Sequence, residues 1–325
     1  MTVGRYFFTA LTLALCIACK NSAAETTANY PSKPVTLSVG FPPGQMTDLL
    51  TRVLAERLTV SLGQTVVVEN KPGQGGSIAL ARLARAKPDG YELMLSPTAA
   101  LVINPALYDS ISYDTLNDFT PIAKVAEVPF VLVASSQMPF DDVAGMIEYA
   151  KKNRLTYTSP GNGTLPHLGM ILFQKKTGTK LTHIPYKGSP RAMSDLASGL
   201  VDVGFDTEVV TKPFVESKRM KILAVTGDSR LASLPDVPTI KESGVSDFEL
   251  VAWFGIVAPK NTPSNIVSLI DASVKQATSE KQFIQALGTT GATPSHATSD
   301  ELSALMVTEL AKWKSIVKES AASVD

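Results

Sequence analysis

The sequence predicts an α/β fold made of two lobes. From Lys33 onward, short apolar runs alternate with helical patterns, which is typical of sheets covered by helices. A second series of the same kind starts at residue 155. Two long apolar runs, 129–136 and 248–259, link the series, and we interpret them as strands that cross between the lobes. Ligands of open α/β sheets bind outside the carboxyl ends of the strands, so we expect a site in the cleft between the lobes.

The spacing of apolar residues predicts each element in turn. In the first helix Leu49, Leu50, Val53, Leu54 and Leu58 lie on one face. The predicted strands are residues 35–41, 65–70, 91–96, 129–136, 155–160, 181–186, 200–205, 221–227 and 248–259. The predicted helices are residues 45–62, 78–86, 161–178, 189–199, 209–217, 263–279, 280–287 and 300–318. The alternation predicts a parallel, doubly wound sheet. Lobe one is expected to comprise residues 30–128 and 252–325, and lobe two residues 129–251.

Residues 1–24 are typical of a secretory signal peptide. Arg5 precedes an apolar run from Phe7 to Cys19, which is too short to span a bilayer as a stable helix. Small residues, Ser22 to Ala24, then form a cleavage site, so we expect a periplasmic protein. Both cysteines would leave with this segment. Two alternatives remain open: a lipid anchor on Cys19, and a buried helix.

Composition argues against nucleic acid as a partner. The chain has 325 residues, of which 44% are hydrophobic and 18% charged, an ordinary globular balance. Lys and Arg number 30, Asp and Glu also 30, and the formal net charge is zero, without a basic block.

A glycine-rich turn at the end of the first strand predicts an anion site. Phe41, Pro42, Pro43 and Gly44 lead directly into a helix. The first N–H groups of that helix, from Gln45, Met46 and Thr47, have no intrahelical partner and add to the positive end of the helix dipole. The alternative is a tight turn in which Thr47 or Asp48 caps the helix.

The second series contains the same arrangement. Ser159, Gly161, Asn162, Gly163 and Thr164 follow a strand and precede a helix. His167 lies one turn into that helix, where it either packs or forms a hydrogen bond to the loop or ligand. Two such turns, one in each lobe, are expected to face one cleft.

Polar residues end two further strands. Ser96, Pro97 and Thr98 follow the third strand, and their hydroxyls either bind a carboxylate or cap the next segment. Asp206 follows the strand 200–205. It either binds a positively charged group of a ligand or stabilises the start of the next helix through the helix dipole. Lys71, Lys187 and Arg191 follow other turns and are expected to be solvated.

The sequence contains little that is typical of a catalytic site. The sequence contains no G-x-S-x-G, H-E-x-x-H, P-loop or G-x-G-x-x-G motif. His167, His183 and His296 are spaced unlike a metal site. Ser159 with His167 could be imagined as nucleophile and base, but nothing nearby supplies an orienting acid. We therefore predict no catalytic residue, no metal and no cofactor.

The residues then match a known family over nearly all of the mature chain. The matching stretches are VVVENKPGQGGSIA, KPDGYELML, INPALY, YDTLNDFTPIA, SPGNGTLPH, HIPYKGS, LPDVPTIKESG and WFGIVAP. In this order they resemble the substrate-binding receptors of tripartite tricarboxylate transporters, the Bug/TctC family. The resemblance implies a two-lobed periplasmic binding protein type II fold, no catalysis and a small organic carboxylate as ligand. It also implies that backbone amides, hydroxyls and ordered waters of both lobes hold the ligand.

The resemblance implies that the ligand contacts lie in the turns already named. They fall on 41–44, 96–98 and 159–164, on His167 and near Asp206. The chain departs from the family pattern at the proposed cleft, for example at Gln45, Met46, Pro160 and Arg191. The identity of the ligand therefore does not follow from the ligands of relatives.

Together these features predict an exported, monomeric receptor that delivers a small organic carboxylate to integral membrane transporter subunits. We expect backbone N–H groups after Gly44 and Gly161–Gly163, rather than a buried cation, to hold the carboxylate. Two alternatives are a receptor that signals to a membrane kinase and a secreted hydrolase that uses Ser159.

Overall fold

A computed structural model describes residues 30–108, 110–288 and 291–320. The predicted signal peptide, with both cysteines, lies outside the described residues. None of the described helices is both long enough and apolar enough to cross a membrane.

The described chain contains two sheets. The strands are β1 (Val35–Val39), β2 (Val66–Asn70), β3 (Glu92–Pro97), β4 (Phe119–Pro129), β5 (Val131–Ser135), β6 (Leu155–Ser159), β7 (Leu181–Pro185), β8 (Val203–Asp206), β9 (Met220–Val225), β10 (Val251–Pro259) and β11 (Thr293–Ala297). The first sheet has the order β11-β4-β10-β3-β1-β2, and the second β7-β6-β8-β5-β9.

Helices cover both sheets. They are α1 (Met46–Leu62), α2 (Ser77–Leu83), α3 (Asn104–Leu107), α4 (Val143–Lys152), α5 (Leu165–Thr177), α6 (Ser189–Ala197), α7 (Glu208–Glu216), α8 (Ser264–Ser279), α9 (Lys281–Gly288) and α10 (Ser299–Ser320). Helices α1 and α8 pack on one face of the first sheet through a shared apolar core. Helix α10 packs on β4 and also on α5 of the second sheet.

The predicted face of α1 is partly wrong. Leu50, Leu54 and Leu58 are buried, because they recur every four residues and face the sheet. Leu49 is 43% exposed and lies off this face. The helix ends at Gly63, whose φ of 67° is the left-handed conformation that glycine adopts at little cost.

The prediction of a parallel sheet is confirmed for β1 with β2 and β3 and for β6 with β7 and β8, but it is wrong for the sheets as a whole, since both are mixed. Strand β10 runs antiparallel to β3 and β4, and β5 runs antiparallel to β8 and β9. Each is the strand that the chain enters after crossing from the other sheet. A chain that leaves one sheet at its carboxyl edge and enters the other at its carboxyl edge must run against the resident strands.

Two strands were absent from the sequence prediction. Strand β4 carries Pro121, Lys124 and Glu127, which interrupt its apolar pattern. It nevertheless lies inside the first sheet, between β11 and β10. Strand β11 is short, and none of its residues is fully buried, so it lacks the apolar run by which a strand is recognised.

Candidate functional site

The topology brings the carboxyl edges of the two sheets close together. Strand β4 ends at Pro129 and β5 begins at Val131, so only Phe130 separates them. Since β5 is antiparallel to β8, the chain enters the second sheet at the edge where β8 ends. The turns that follow β1, β3, β6 and β8 therefore lie at two neighbouring edges.

The first turn is closed by its own helix. Gly44 has a φ of 84°, which its missing side chain permits, and its N–H donates to Asp48 Oδ2 at 2.8 Å. Gln45 precedes α1 without forming a side-chain cap, and Gln45 N–H contacts the Pro42 carbonyl at 3.4 Å. Pro42, Pro43 and Gly44 are all exposed. The alternative role for Asp48 is therefore partly confirmed: its carboxylate closes the turn.

Asp48 has three polar partners. Besides Gly44 it accepts hydrogen bonds from Arg52 Nε at 3.0 Å and from Asn70 Nδ2 at 2.8 Å. Asn70 Nδ2 also donates to the Phe41 carbonyl, 3.0 Å away. Burial by itself raises the pKa of Asp48, but the hydrogen bonds from Arg52, Gly44 and Asn70 outweigh it and hold the pKa below its usual value.

Helix α1 nevertheless keeps free N–H groups at its start. Leu49 N–H bonds to the Gln45 carbonyl, so intrahelical pairing starts at Leu49. Within the described residues, the N–H groups of Met46, Thr47 and Asp48 precede that first bond. The available donors are therefore these three, and not the N–H of Gly44.

The second turn resembles the first. Gly163, with a φ of 73°, donates its N–H to His167 Nδ1 at 3.0 Å, which confirms that His167 bonds to the loop. Thr164 directs its hydroxyl at the Gly161 carbonyl, 2.7 Å away, and leaves α5 uncapped. Asn162 is exposed at the tip. The predicted Gly163 donor is thus occupied within the turn.

Ser159 pairs with a histidine other than the one imagined. Its Oγ lies 2.7 Å from His183 Nε2, whereas His167 stacks on the His183 ring with centroids 4.1 Å apart. The Ser159 side chain is fully buried, and its hydroxyl also lies 3.1 Å from the Gly161 carbonyl. This geometry fixes the turn rather than exposing a nucleophile. Strand pairing between β6 and β7 brings these distant residues together.

At the end of β3 the Thr98 hydroxyl has hydrogen-bond partners, whereas the Ser96 hydroxyl has none among the described residues. Thr98 Oγ1 donates to the Trp253 carbonyl at 3.0 Å and accepts from its N–H at 2.7 Å. A hydroxyl has one proton, so Thr98 cannot also donate to a carboxylate. Ser96 Oγ is buried, with no partner among the described residues. Pro97 lies beside Phe254 of β10.

Two further buried oxygens end the strands of the second sheet. Thr158 Oγ1, which sequence reasoning missed, and Asp206 Oδ2 have no partner in the described part of the chain. Asp206 Oδ1 accepts the Thr207 N–H at 2.8 Å. Burial raises the pKa of Asp206. Hydrogen bonds from the Ser189 hydroxyl and the Thr207 N–H lower this pKa, but the effect of burial is larger. Unpaired buried polar atoms are costly and are typical of ligand sites.

The cationic side chains near the turns have other partners or face solvent. Arg191 forms an ion pair with Asp195 at 3.0 Å and its side chain is 73% exposed. Lys71 pairs with Glu69 at 2.6 Å, and Lys187 is exposed. Across the described ranges, no group of three or more His, Cys, Asp or Glu residues could hold a metal ion.

Comparison with known proteins gives relatives along nearly the whole chain. A profile described as the tripartite tricarboxylate transporter family receptor, TctC, matches residues 50–321. The protein BugT of Bordetella pertussis (strain Tohama I) is 35% identical over 316 residues, 96% of this chain and 97% of BugT. A protein from the tcbD-tcbE intergenic region of Pseudomonas sp. (strain P51) is 33% identical over 310 residues, 94% of this chain and 92% of the relative.

Solved structures of similar proteins agree with the sequence comparison. Rpa4515 of R. palustris, solved with adipate, is 33% identical with a TM-score of 0.73 and covers 91% of this chain and 100% of its own. MatC of Rhodopseudomonas palustris, with bound malate, is 30% identical with a TM-score of 0.69 and covers 89% and 100%. A TctC solute binding protein from Polaromonas is 29% identical with a TM-score of 0.83 and covers 89% and 99%.

The similarity confirms the two-lobed α/β fold, and the family is one of receptors rather than enzymes. From these matches, the chain belongs to the tripartite tricarboxylate transporter receptor family, also called Bug/TctC.

Proposed function

We propose that this chain is a periplasmic receptor that binds a small organic carboxylate between its lobes and delivers it to a tripartite tricarboxylate-type membrane transporter. The observation that carries the proposal is the pair of uncapped helix starts, α1 and α5, at the carboxyl edges of the two sheets. Each presents backbone N–H groups and the positive end of a helix dipole to an anion.

The charge distribution supports backbone recognition. The two turns, 41–47 and 159–164, contain no Lys or Arg. Arg191, the cation that could have reached the cleft, is bound to Asp195 on the surface. Backbone donors avoid the desolvation penalty of a buried cation, and they lose no side-chain entropy on binding.

The unpaired oxygens at the strand ends support a polar second contact. Ser96 Oγ and Thr158 Oγ1 can donate to a carboxylate oxygen, and Asp206 can do so when protonated. The relatives solved with adipate and with malate both hold dicarboxylates. We infer that the ligand of this chain is likewise a small organic carboxylate.

Binding is tested on the exported chain by calorimetry and thermal unfolding with adipate, malate, citrate and acetate. At a hundred times its dissociation constant, a true ligand adds about 2.7 kcal/mol to the free energy of unfolding. That gain raises the unfolding temperature by several degrees. If none of the four acids produces heat or a shift, the carboxylate assignment is wrong.

Delivery to a transporter and export need separate tests. Cells that lack this chain should lose uptake of the ligand identified by calorimetry and regain it when the chain is restored. Unchanged uptake together with an altered transcriptional response would favour a receptor that signals to a membrane kinase.

Mass spectrometry of the exported form should show a monomer that starts near Glu25. A lipidated Cys19 at the N-terminus would contradict a soluble form.

The lobe boundaries are also a proposal. We place lobe one at residues 30–128 and 252–325 and lobe two at residues 129–251. The change of sheet at Phe130 and before β10 supports these limits.

A further inference from the structure

A cavity of about 370 Å³ lies beside α2. Its walls include Gln74, Ile78, Ala81, Arg82, Arg85 and Ser112. Its volume falls within the range of small-molecule sites. It does not include any of the turn residues proposed for the cleft, although Gly76, next to its rim, packs near the Phe41 ring.

The cavity presents two unpaired cations on one wall. Within the described ranges, Arg82 and Arg85 have no hydrogen bond or ion pair through their guanidinium groups. Other arginines do: Arg52 binds Asp48 and Arg230 binds Glu242, each at 2.9 Å. Residues three apart on a helical turn point to the same side, so the two guanidinium groups can contact one ligand.

An exposed apolar surface lies beside the cations. Ile78 is 55% exposed although its side chain lines the cavity, and Ala81 lies next to Arg82 on the same wall. Ser112 adds a hydroxyl. Gln74 Nε2 reaches the Ser110 carbonyl at 3.4 Å and links the two walls. The lining therefore combines charge, hydrogen bonding and a short aliphatic contact.

We propose that this cavity is a second anion site, separate from the cleft, which takes a small dicarboxylate with a short aliphatic chain. Each carboxylate accepts hydrogen bonds from one guanidinium, for which the planar fork of arginine is suited. The methylene groups between the carboxylates pack on Ile78 and Ala81.

The test uses the exported chain with nitrogen-15 labelling, titrated with succinate, acetate and inorganic phosphate. The Nε–Hε signals of Arg82 and Arg85, assigned with the single R82A and R85A variants, report this cavity alone. We expect succinate to shift both signals with a dissociation constant on the order of 1 mM. Acetate should bind more weakly, because it has a single charge. Since the readout is local, it holds even if the cleft binds no carboxylate.

Variants separate the sources of affinity. R82A/R85A should lose more than tenfold in succinate affinity, measured from the backbone N–H signals of Ile78 and Ala81, which line the cavity. K87A is the matched control, because Lys87 is exposed on the same segment and does not line the cavity. I78S should weaken succinate several-fold and leave phosphate unchanged.

Two results would overturn the proposal. One is that neither arginine signal moves at saturating succinate. The other is that phosphate binds more tightly than succinate and I78S changes neither, which would make the cavity an inorganic anion site.

Discussion

At the scale of single residues, Asp48 shows how a buried carboxylate shapes the candidate site. Its side chain is only 2% exposed, and it connects the turn, helix α1 and strand β2. The ion pair with Arg52, whose side chain is 49% exposed, adds little by itself. The hydrogen bonds from Gly44 and Asn70 matter more, because the buried carboxylate of Asp48 accepts both and hydrogen bonds to a charged group are the stronger ones.

Asp48→Ala should therefore lower the free energy of unfolding by about 2–4 kcal/mol. Urea unfolding of the purified chain measures this loss. Asp141→Ala is the control, since Asp141 is 88% exposed in its ion pair with Lys221 and should cost less than about 1 kcal/mol. Equal losses in both variants would show that Asp48 contributes only a surface ion pair.

The stacked histidines predict how stability depends on pH. Burial lowers the pKa of His167 to about 4, and burial together with His167 lowers the pKa of His183 to about 4. In the unfolded chain both titrate near 6.5. Between pH 6.5 and 4 the unfolded state binds more protons, so stability is full above 6.5 and falls as the pH falls towards 4. Each histidine contributes at most about 1.4 kcal/mol per pH unit.

Urea unfolding at pH 7, 6 and 5 measures this slope. The double variant H167Q/H183Q should show a shallower dependence than the wild type, whatever its absolute stability. A wild-type chain that is as stable at pH 5 as at pH 7 would contradict the buried neutral imidazoles.

At the scale of elements, the start of α1 offers a direct test of backbone recognition. Met46 is the first helical residue, and Gln45 before it has a ψ of 160°. Proline fits such a first position, and an extended residue before it avoids a steric clash. Met46→Pro thus removes one N–H and keeps the helix.

Met46→Pro should weaken binding of the carboxylate ligand by about tenfold, the worth of one charge-assisted hydrogen bond. Met46→Ala is the matched control, because it loses the same side chain but keeps the N–H. Calorimetry on both variants gives the comparison, and circular dichroism checks the helix. If the two variants bind equally well, the N–H of Met46 does not hold the ligand.

At the scale of the whole molecule, one side chain joins the two connections between the sheets. Thr226 Oγ1 accepts the Phe130 N–H at 2.7 Å and lies 2.6 Å from the Leu250 carbonyl, to which it donates. Phe130 lies in the first connection and Leu250 in the second. Thr226 is fully buried. Its hydroxyl therefore links the two connections between the sheets.

Thr226→Val should cost about 1–3 kcal/mol in the free energy of unfolding, because the Phe130 N–H loses a buried acceptor. Thr211→Val is the control. Thr211 is equally buried, but its hydroxyl bonds only to carbonyls of its own helix, Thr207 and Glu208. Urea unfolding compares the two, and similar losses would show that the interlobe position of Thr226 has no special weight.

Much of this molecule was predictable because the signals are local. Leu50, Leu54 and Leu58 mark a helix by their spacing, and the glycine turns after β1 and β6 are visible where a strand pattern stops. The absence of Lys and Arg from those turns is also a property of the sequence. The order of short motifs was sufficient to predict the family and the two-lobed fold.

The sequence by itself determined most of the elements, though not β4 and β11, and the two glycine turns, since each of these depends on neighbours within about one helical turn. Only the tertiary structure decided that β5 and β10 run antiparallel, that Ser159 faces His183, and that Thr226 joins both connections. It also decided which N–H groups are occupied, because Asp48 and His167 reach back to Gly44 and Gly163. These outcomes depend on strand pairing and on the directions of individual side chains, which periodicity does not encode.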